Sequence, residues 1–284
     1  MLGWTAQHFE KKGVDAPRLT SEVLLAHVLQ CSRVKLYVDL DRPLEAQELA
    51  TYRALIARRL GGEPTQYLTG TREFYGRAFL VDSRVLVPRP ETELLVDEVL
   101  ALVPRFSGSD VLDLCTGSGC IAITVAAERP LARVVAVDLF PGACEVALAN
   151  ARAHAVASRV EVLEGDLFSP LPAGARFDLV VSNPPYVARP QIPGLPPEVR
   201  REPVAALDGG PDGLDFYRRI IPGARDRLRP GGWLALEIGE TQGAEVCRLL
   251  QGAGYEEVRI GKDWERRDRH AFARMPAGGE PRAG

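Results

Sequence analysis

Four consecutive residues, Asn183-Pro184-Pro185-Tyr186, suit chemistry at a planar nitrogen. The nitrogen of an amide or an aromatic amine is a poor nucleophile because its lone pair is delocalised, so both of its N–H bonds must be oriented by acceptors. The side-chain oxygen of Asn183 would accept one hydrogen. The carbonyl oxygen of Pro184 or Pro185, held by a rigid proline ring, would accept the other. Tyr186 would pack its ring on the planar group.

These acceptors would assist the reaction in its transition state. The nitrogen becomes more acidic as its new bond forms, so its hydrogen bonds strengthen at that stage. Such positioning requires neither a general base nor a His or Cys nucleophile. An Asn-Pro turn without chemistry is the alternative interpretation. Adenine, cytosine and glutamine all offer such a nitrogen, and the segment alone does not choose among them.

A glycine-rich loop follows an apolar run at 111–114. Gly117-Ser118-Gly119 matches the dinucleotide pattern G-x-G-x-x-G/A, with Asp138 about 20 residues further on. An NAD-dependent oxidoreductase is therefore a competing interpretation. Asp113, four residues before Gly117, would face a pyrophosphate with like charge. S-adenosylmethionine carries a sulfonium and an ammonium but no phosphate, so this acid favours S-adenosylmethionine as the ligand.

Two further acids follow later predicted strands. Asp138 would bind the ribose hydroxyls, and Asp166 would accept a hydrogen bond from the adenine amino group, although a turn cap is the alternative for Asp166. We expect the cofactor to contact Asp113, Thr116, Gly117, Ser118, Gly119, Asp138, Asp166, Leu167 and Asn183.

The elements that must position these residues alternate between strand and helix. Short apolar runs predict strands at 111–114, 134–137, 160–163, 177–181, 233–238, 258–261 and 271–274, with helices at 121–128 and 141–154. This alternation is typical of a parallel sheet covered by helices on both faces. Ligands of such sheets bind outside the carboxyl ends of the strands, where the acids and Asn183 lie.

The chain before residue 92 has a different pattern. Residues 1–70 are predicted to be helical, with helix starts at Asp15 and Asp41 and a stop at Gly61-Gly62. Residues 71–91 are predicted to be a hairpin linker, 92–276 the catalytic domain and 277–284 a flexible tail.

Composition and charge argue against several classes of protein. The 284 residues carry a net charge of -3 with a pI of about 5.9, which argues against a general nucleic-acid binder. The five cysteines and four histidines lack metal-ligand spacing, so we expect no metal site. We find neither a signal peptide nor an apolar run of the ~18 residues needed for a membrane span, and we expect a cytoplasmic protein.

Distinctive motifs are spread over most of the chain. They are Gly62-Glu63-Pro64-x-Gln66-Tyr67-x-x-Gly70, Glu73-Phe74-Tyr75-Gly76, Val87-Pro88-Arg89-Pro90-Glu91-Thr92-Glu93, Asp113-x-x-x-Gly117-Ser118-Gly119, Asn183-Pro184-Pro185-Tyr186, Glu202-Pro203 and Ala206-Leu207-Asp208-Gly209-Gly210. Together they resemble the motifs of the bacterial peptide chain release factor glutamine methyltransferases.

The resemblance implies both a fold and an activity. The fold would be a class I S-adenosylmethionine-dependent methyltransferase, Rossmann-like, with a seven-stranded, mostly parallel sheet whose last strand is antiparallel, and a small helical amino-terminal domain that docks the substrate. The activity would be methylation of the side-chain nitrogen (N5) of the glutamine in the Gly-Gly-Gln motif of class I release factors. An N6-adenine methyltransferase acting on nucleic acid is the second hypothesis.

The resemblance also implies which residues bind the substrate. The segment 88–93 would border the cleft through Arg89, Glu91, Thr92 and Glu93. Arg89 and Glu91 would bind the substrate together with Asn183, Pro185 and Tyr186. A charged first helical turn is the alternative interpretation of Glu91-Thr92-Glu93. We expect a monomer whose partner is the release factor, with no membrane association and no stable binding of nucleic acid.

Overall fold

The structure, a computed structural model, describes residues 1–39, 42–106 and 108–277. The predicted helix start at Asp41 lies outside the described residues, as does the predicted tail apart from Ala277. The chain divides into two compact units. The first contains Met1–Thr71 and Leu195–Glu202, and the second contains Arg72–Gly194 and Pro203–Gly284.

The first unit is helical. Its helices are α1 (Leu2–Lys11), α2 (Pro17–Val28), α3 (Arg33–Val38), α4 (Ala46–Leu60) and α5 (Thr65–Thr69). Pro17 occupies the first turn of α2, where a missing N–H costs nothing. The helices bury one apolar cluster around Phe9, Leu24 and Tyr52. The Tyr52 hydroxyl donates to the carbonyl of Ser21 at 3.0 Å.

Residues 195–202 belong to this helical unit, whereas sequence analysis placed them in the range 92–276. Arg59 of α4 pairs with Glu198, and Arg201 donates to the carbonyl oxygen of Gly61 at 2.8 Å. Partners so distant in sequence leave no periodic signal, which is why the pattern of apolar residues did not reveal this association.

A hairpin of β1 (Thr71–Phe74) and β2 (Arg77–Leu80) follows, and all of it except Thr71 belongs to the second unit. Residues 85–87, which sequence analysis attached to the hairpin, form no strand, although Val85 and Val87 are buried. The helix α6 (Pro90–Leu102) then starts inside the range predicted as linker. Pro90 provides its first turn, and Glu91 and Glu93 complement the helix dipole there.

Strands and helices then alternate. They are β3 (Asp110–Leu114), α7 (Cys120–Glu128), β4 (Arg133–Asp138), α8 (Pro141–Ala153), β5 (Val160–Glu164), β6 (Phe177–Ser182), α9 (Asp215–Arg225), β7 (Leu228–Glu237), α10 (Gly243–Gly252), β8 (Glu256–Lys262) and β9 (Asp268–Arg274). Three short 3-10 helices, Arg189–Gly194, Val199–Arg201 and Val204–Ala206, lie between β6 and α9.

The sheet confirms the predicted fold class. Its seven strands have the order β5-β4-β3-β6-β7-β9-β8, and β9 is antiparallel to both of its neighbours while the other pairings are parallel. Apolar clusters lie on both faces, one including α6 and α7 and the other α9 and α10. The strand order reverses between β3 and β6, and this switch point is where ligands bind in such folds.

Candidate active site

The two chemically informative segments emerge side by side at the switch point. Leu114, the last residue of β3, is in register with Ser182, the last residue of β6. The buried hydroxyl of Ser182 donates to the carbonyl of Leu114 at 2.8 Å. The glycine loop therefore starts beside Asn183, although about 70 residues separate them along the chain.

A cavity of about 460 Å³ opens between these segments. Of the residues predicted from sequence, it is lined by Arg89, Thr116, Gly117, Ser118, Asp138, Asp166, Leu167, Asn183 and Pro185. The cavity lining does not include the predicted residues Glu91, Asp113, Gly119, Pro184 and Tyr186.

Other lining residues were missed by sequence analysis. They are chiefly Cys115, Leu139, Phe140, Phe216 and Arg219. Thr92, which belongs to the segment that the resemblance placed at the cleft, also lines the cavity. Leu139 and Phe140 follow Asp138 directly and are half-exposed. Exposed apolar residues immediately after a strand end are a signal that could have been used, because they offer a surface for a flat heterocycle.

The glycine loop has the conformation that its residues permit. Gly117 and Gly119 have φ of 56° and 79°, in the left-handed region that favours glycine. A Cβ atom at Gly119 would also lie 2.8 Å from Cδ1 of Ile123 and 3.2 Å from Cβ of Ala147. Gly119 thus lets the loop pack closely on α7 and α8, while Gly117 faces the cavity.

Asp138, at the end of β4, receives backbone hydrogen bonds from both sides of the cavity floor. Its Oδ2 accepts from the amide of Gly117 at 2.8 Å and its Oδ1 from the amide of Phe140 at 3.1 Å. Burial raises the pKa of its carboxyl, and these amide donors oppose that rise. Each oxygen keeps a lone pair, so the side chain fits a pair of ribose hydroxyls.

Asp113 lies beneath the glycine loop rather than on the cavity surface. Its Oδ2 accepts from the Thr116 hydroxyl at 2.6 Å and from the amide of Ala122 at 3.2 Å. Its Oδ1 is buried with no hydrogen-bond partner among the described residues. Burial raises the pKa of this carboxyl to about 7, with the hydrogen bonds opposing and the charge of Asp138 adding to the rise.

Asp166 lies at the exposed rim of the cavity. Its Oδ2 pairs with Nη2 of Arg219 at 2.5 Å, with both side chains about half-exposed. Pairs exposed in this way contribute little to stability. The other oxygen of Asp166 is available to a ligand, and the neighbouring Leu167 is buried with a φ of 52°.

Asn183 is connected to buried groups behind the cavity. Its Nδ2 donates to Oγ1 of Thr92 at 3.3 Å, and this hydroxyl donates to Oε2 of Glu237 at 2.6 Å. The hydroxyl of Tyr186 lies 3.4 Å from Oε1 of Glu237. The main-chain oxygen of Tyr186 accepts from Nε2 of Gln242 at 2.9 Å, which fixes the backbone after the two prolines.

The site offers no activated nucleophile among its described residues. Cys115 and Cys120 line the cavity, but burial raises the thiol pKa of both, for Cys120 to about 12. His270 donates to the main-chain oxygen of Glu91 at 3.1 Å, and burial lowers its pKa to about 4, so it stays neutral. No group of three or more potential metal ligands occurs in the described part of the chain.

Comparison with known proteins gives matches over nearly the whole length. A release factor glutamine methyltransferase of Geobacter sulfurreducens is 48% identical over 90% of this chain and 88% of its own length. One of Moorella thermoacetica is 44% identical over 94% and 95%. The chain belongs to the release factor glutamine methyltransferase family.

Family models agree with this assignment. The model of the PrmC N-terminal domain matches residues 1–70, and the model of the methyltransferase small domain matches residues 90–193. The chain is therefore an S-adenosylmethionine-dependent methyltransferase, and the oxidoreductase hypothesis is set aside.

Solved structures show the same fold. A methyltransferase from Pyrococcus furiosus matches 82% of this chain and 100% of its own with a TM-score of 0.53 at 18% identity. A 16S ribosomal RNA methyltransferase of T. thermophilus, in complex with AdoMet and guanosine, matches 72% of this chain and 49% of its own, with a TM-score of 0.52 at 22% identity.

The cavity fits S-adenosylmethionine by its chemistry. Oδ1 of Asp113 has no hydrogen-bond partner among the described residues, and the ionised carboxyl places negative charge under the glycine loop, which suits a ligand with two positive groups. Asp138 suits the ribose, and Leu139 and Phe140 suit the adenine ring. No helix in the described residues is both long enough and apolar enough to cross a bilayer.

Proposed function

We propose that this chain transfers the methyl group of S-adenosylmethionine to the side-chain nitrogen (N5) of the glutamine in the Gly-Gly-Gln motif of class I release factors. The observation that carries the proposal is the position of Asn183 and Pro185 on the cavity that the glycine loop also lines. The printed names of the relatives supply the acceptor, because they are release factor glutamine methyltransferases.

When bound, the cofactor supplies an electrophilic methyl group on a sulfonium. The protein residues hold the acceptor. Oδ1 of Asn183 accepts one N–H of the glutamine amide, and a main-chain carbonyl of the rigid Pro184-Pro185 pair accepts the other. The nitrogen lone pair then points at the methyl group. As the N–C bond forms and the C–S bond breaks, the nitrogen becomes positive, and both hydrogen bonds strengthen.

The proton that leaves the nitrogen does not require a strong base. The methylated amide nitrogen is highly acidic until it loses this proton, so water at the cavity mouth suffices. This agrees with the neutral His270 and the protonated thiols of Cys115 and Cys120. Holding and orienting the amide are therefore the main contributions of the protein.

The division of the chain fits the same proposal. Residues 1–70 would dock the release factor, 71–91 would link the two parts, and 92–276 would hold the cofactor and carry out the transfer. We further propose that the enzyme acts as a monomer in the cytoplasm, with a protein rather than a nucleic acid as its stable partner.

The test is to incubate the purified chain with a release factor and isotopically labelled S-adenosylmethionine. Mass spectrometry should find one methyl group on the glutamine of the Gly-Gly-Gln peptide. A release factor whose motif glutamine is changed to alanine is the control and should gain no label. No transfer by a chain with demonstrated cofactor binding, or greater transfer to RNA or DNA, would refute the proposal.

A further inference from the structure

Thr92 contacts both Asn183 and a buried carboxylate. It lies in the first turn of α6, is 1% exposed, and lines the cavity beside Asn183. Its Oγ1 is 2.6 Å from Oε2 of Glu237, which ends β7, and 3.3 Å from Nδ2 of Asn183. Asn183, which directly follows β6, and Glu237 are 91 and 145 residues from Thr92 along the chain.

The single hydroxyl proton of Thr92 determines the direction of both hydrogen bonds. An ionised carboxylate only accepts, and a separation of 2.6 Å is typical of a hydroxyl donating to a carboxylate. The proton therefore points at Glu237, and only the lone pairs of Oγ1 remain for Asn183. An amide NH₂ group satisfies them, whereas an amide oxygen would repel them.

This direction decides which end of the Asn183 amide faces the substrate. The oxygen and the nitrogen of an asparagine side chain have nearly the same shape, so packing alone hardly separates the two orientations. With Nδ2 held by Thr92, Oδ1 is left for the cavity. In the reversed orientation, an NH₂ group would meet the N–H groups of the acceptor.

We propose that Thr92 and Glu237 are positioning residues, which hold the Asn183 amide so that its oxygen faces the methyl-accepting nitrogen. The proposal rests on the function proposed above for Asn183. Neither residue needs to touch the acceptor, because both act through the orientation of Asn183.

The orientation depends on an ionised Glu237. A protonated Oε2 would donate to Thr92, and the Thr92 hydroxyl would then be free to donate to Oδ1 of Asn183, which reverses the amide. Burial raises the pKa of this carboxyl to about 7, and the Thr92 hydrogen bond and the charge of Arg269 oppose the rise.

The charged and titratable groups around Glu237 come from several elements. They are Glu91 of α6, Cys120 of α7, Tyr186 after β6, Tyr217 of α9 and Arg269 of β9. Of these, Arg269 favours the ionised form and Glu91 disfavours it. Arg269 itself pairs with Asp263 at 3.2 Å, which holds the cation near the site.

The test compares Thr92→Val with Thr92→Ser. Valine keeps the shape of threonine but has no hydroxyl, so kcat should fall about tenfold to a hundredfold while the Kd for S-adenosylmethionine changes less than about threefold. Serine restores the hydroxyl and should recover kcat to within about threefold. Thr124→Val is the matched control, since Thr124 of α7 is fully buried and its hydroxyl has no partner among the described residues. It should leave kcat unchanged.

A double-mutant cycle separates this inference from the proposed function. In an Asn183→Ala background, Thr92→Val should have almost no further effect on kcat, because the amide that it orients is gone. If Asn183→Ala alone leaves the rate unchanged, the proposed role of Asn183 fails. If Asn183→Ala is slow but the two changes act additively, or if Thr92→Ser is as slow as Thr92→Val, the positioning inference fails.

Glu237→Gln provides a second variant if Thr92→Val does not fold. The wild-type kcat should fall as the pH drops through about 7, the range in which Glu237 becomes protonated. The neutral glutamine cannot titrate, so the variant should lose this dependence. The pKa of Glu237 lies between about pH 6 and about pH 8. A wild-type kcat that does not change over this range would contradict the inference.

Discussion

Two buried carboxylates lie at the same edge of the sheet and differ in their partners. Asp113, near the end of β3, and Glu237, at the end of β7, are at most 1% exposed, and burial raises the pKa of each to about 7. Both oxygens of Glu237 lie near hydroxyl groups, those of Thr92 and Tyr186. Asp113 uses only one oxygen, and the other has no partner among the described residues.

The difference corresponds to two tasks. A carboxylate with satisfied oxygens is a fixed acceptor, and Glu237 uses this to orient Thr92 and, through it, Asn183. A buried oxygen without a partner is costly, and the cost is recovered when a positive ligand binds nearby. We therefore assign the Asp113 side of the cavity to cofactor affinity and the Glu237 side to the rate of transfer.

The largest expected effect is that of Asn183→Ala, on the Glu237 side. Removing an acceptor that strengthens in the transition state should lower kcat by about a hundredfold to a thousandfold. The Kd for S-adenosylmethionine, measured by calorimetry, should change by less than about threefold. A large rise in this Kd at an unchanged kcat would assign Asn183 to cofactor binding. The two sides of the cavity would then not differ in the way proposed.

Asp113→Asn should give the opposite result. The neutral amide keeps an oxygen for Thr116 and Ala122 but removes the negative charge under the loop. We expect the Kd for S-adenosylmethionine to rise about tenfold, with kcat at saturating cofactor within about threefold of wild type. Titration with S-adenosylhomocysteine, which has no sulfonium charge, is the control and should show a smaller loss. An equal loss for both ligands would mean that the charge acts on the ammonium, which both carry, and not on the sulfonium. An unchanged Kd for both ligands would contradict a charge effect.

Much of this arrangement was predictable because local sequence determines it. The apolar runs before Asp113, Asp138 and Asn183 predicted buried strands, and parallel strands bring their carboxyl ends to one edge. The left-handed glycines of the loop follow from local sequence as well.

The rest depends on contacts between distant residues or on the conformation that a short segment adopts in the folded chain. Glu237 contacts Thr92 only because β7 pairs with β6 and α6 packs nearby. The two residues are 145 positions apart, so no local sequence pattern predicts the contact. The amide of Ala122 and the Thr116 hydroxyl hold Asp113 beneath the loop, a position that its place near the end of a predicted strand does not specify. The helix α6 starts within the predicted linker because Pro90 fits both a linker and a first helical turn.

The raised pKa of Asp113 predicts that the folded protein becomes less stable as the pH rises. A carboxyl with a pKa above its unfolded value favours the folded state when protonated, and this contribution is lost as the pH rises from about 4 through about 7. Urea unfolding of the cofactor-free wild type should therefore show a free energy of unfolding that falls between about pH 5 and about pH 8.

Asp113→Asn provides the control for this trend. It has no carboxyl to titrate at position 113, so at about pH 8 it should be more stable than the cofactor-free wild type by an amount on the order of 1–3 kcal/mol. The titration of Glu237 remains in both proteins and cancels in the comparison. At about pH 5 the advantage should shrink. A variant less stable than wild type at every pH would mean that the charge of Asp113 stabilises the loop, and the two carboxylates would then not differ as argued.

The smallest expected effect concerns Cys115, between Asp113 and the first glycine of the loop. Its φ is 58°, in the left-handed region where a side chain is strained, and it lines the cavity. Cys115→Gly should raise the free energy of unfolding by about 1 kcal/mol, while Cys115→Ala retains the strain and should not. A gain for both variants would attribute the effect to the thiol rather than to the backbone. If the free energy of unfolding rises in neither variant, the backbone strain at Cys115 is negligible. The destabilisation on the Asp113 side of the cavity would then come only from the Asp113 oxygen that has no partner among the described residues.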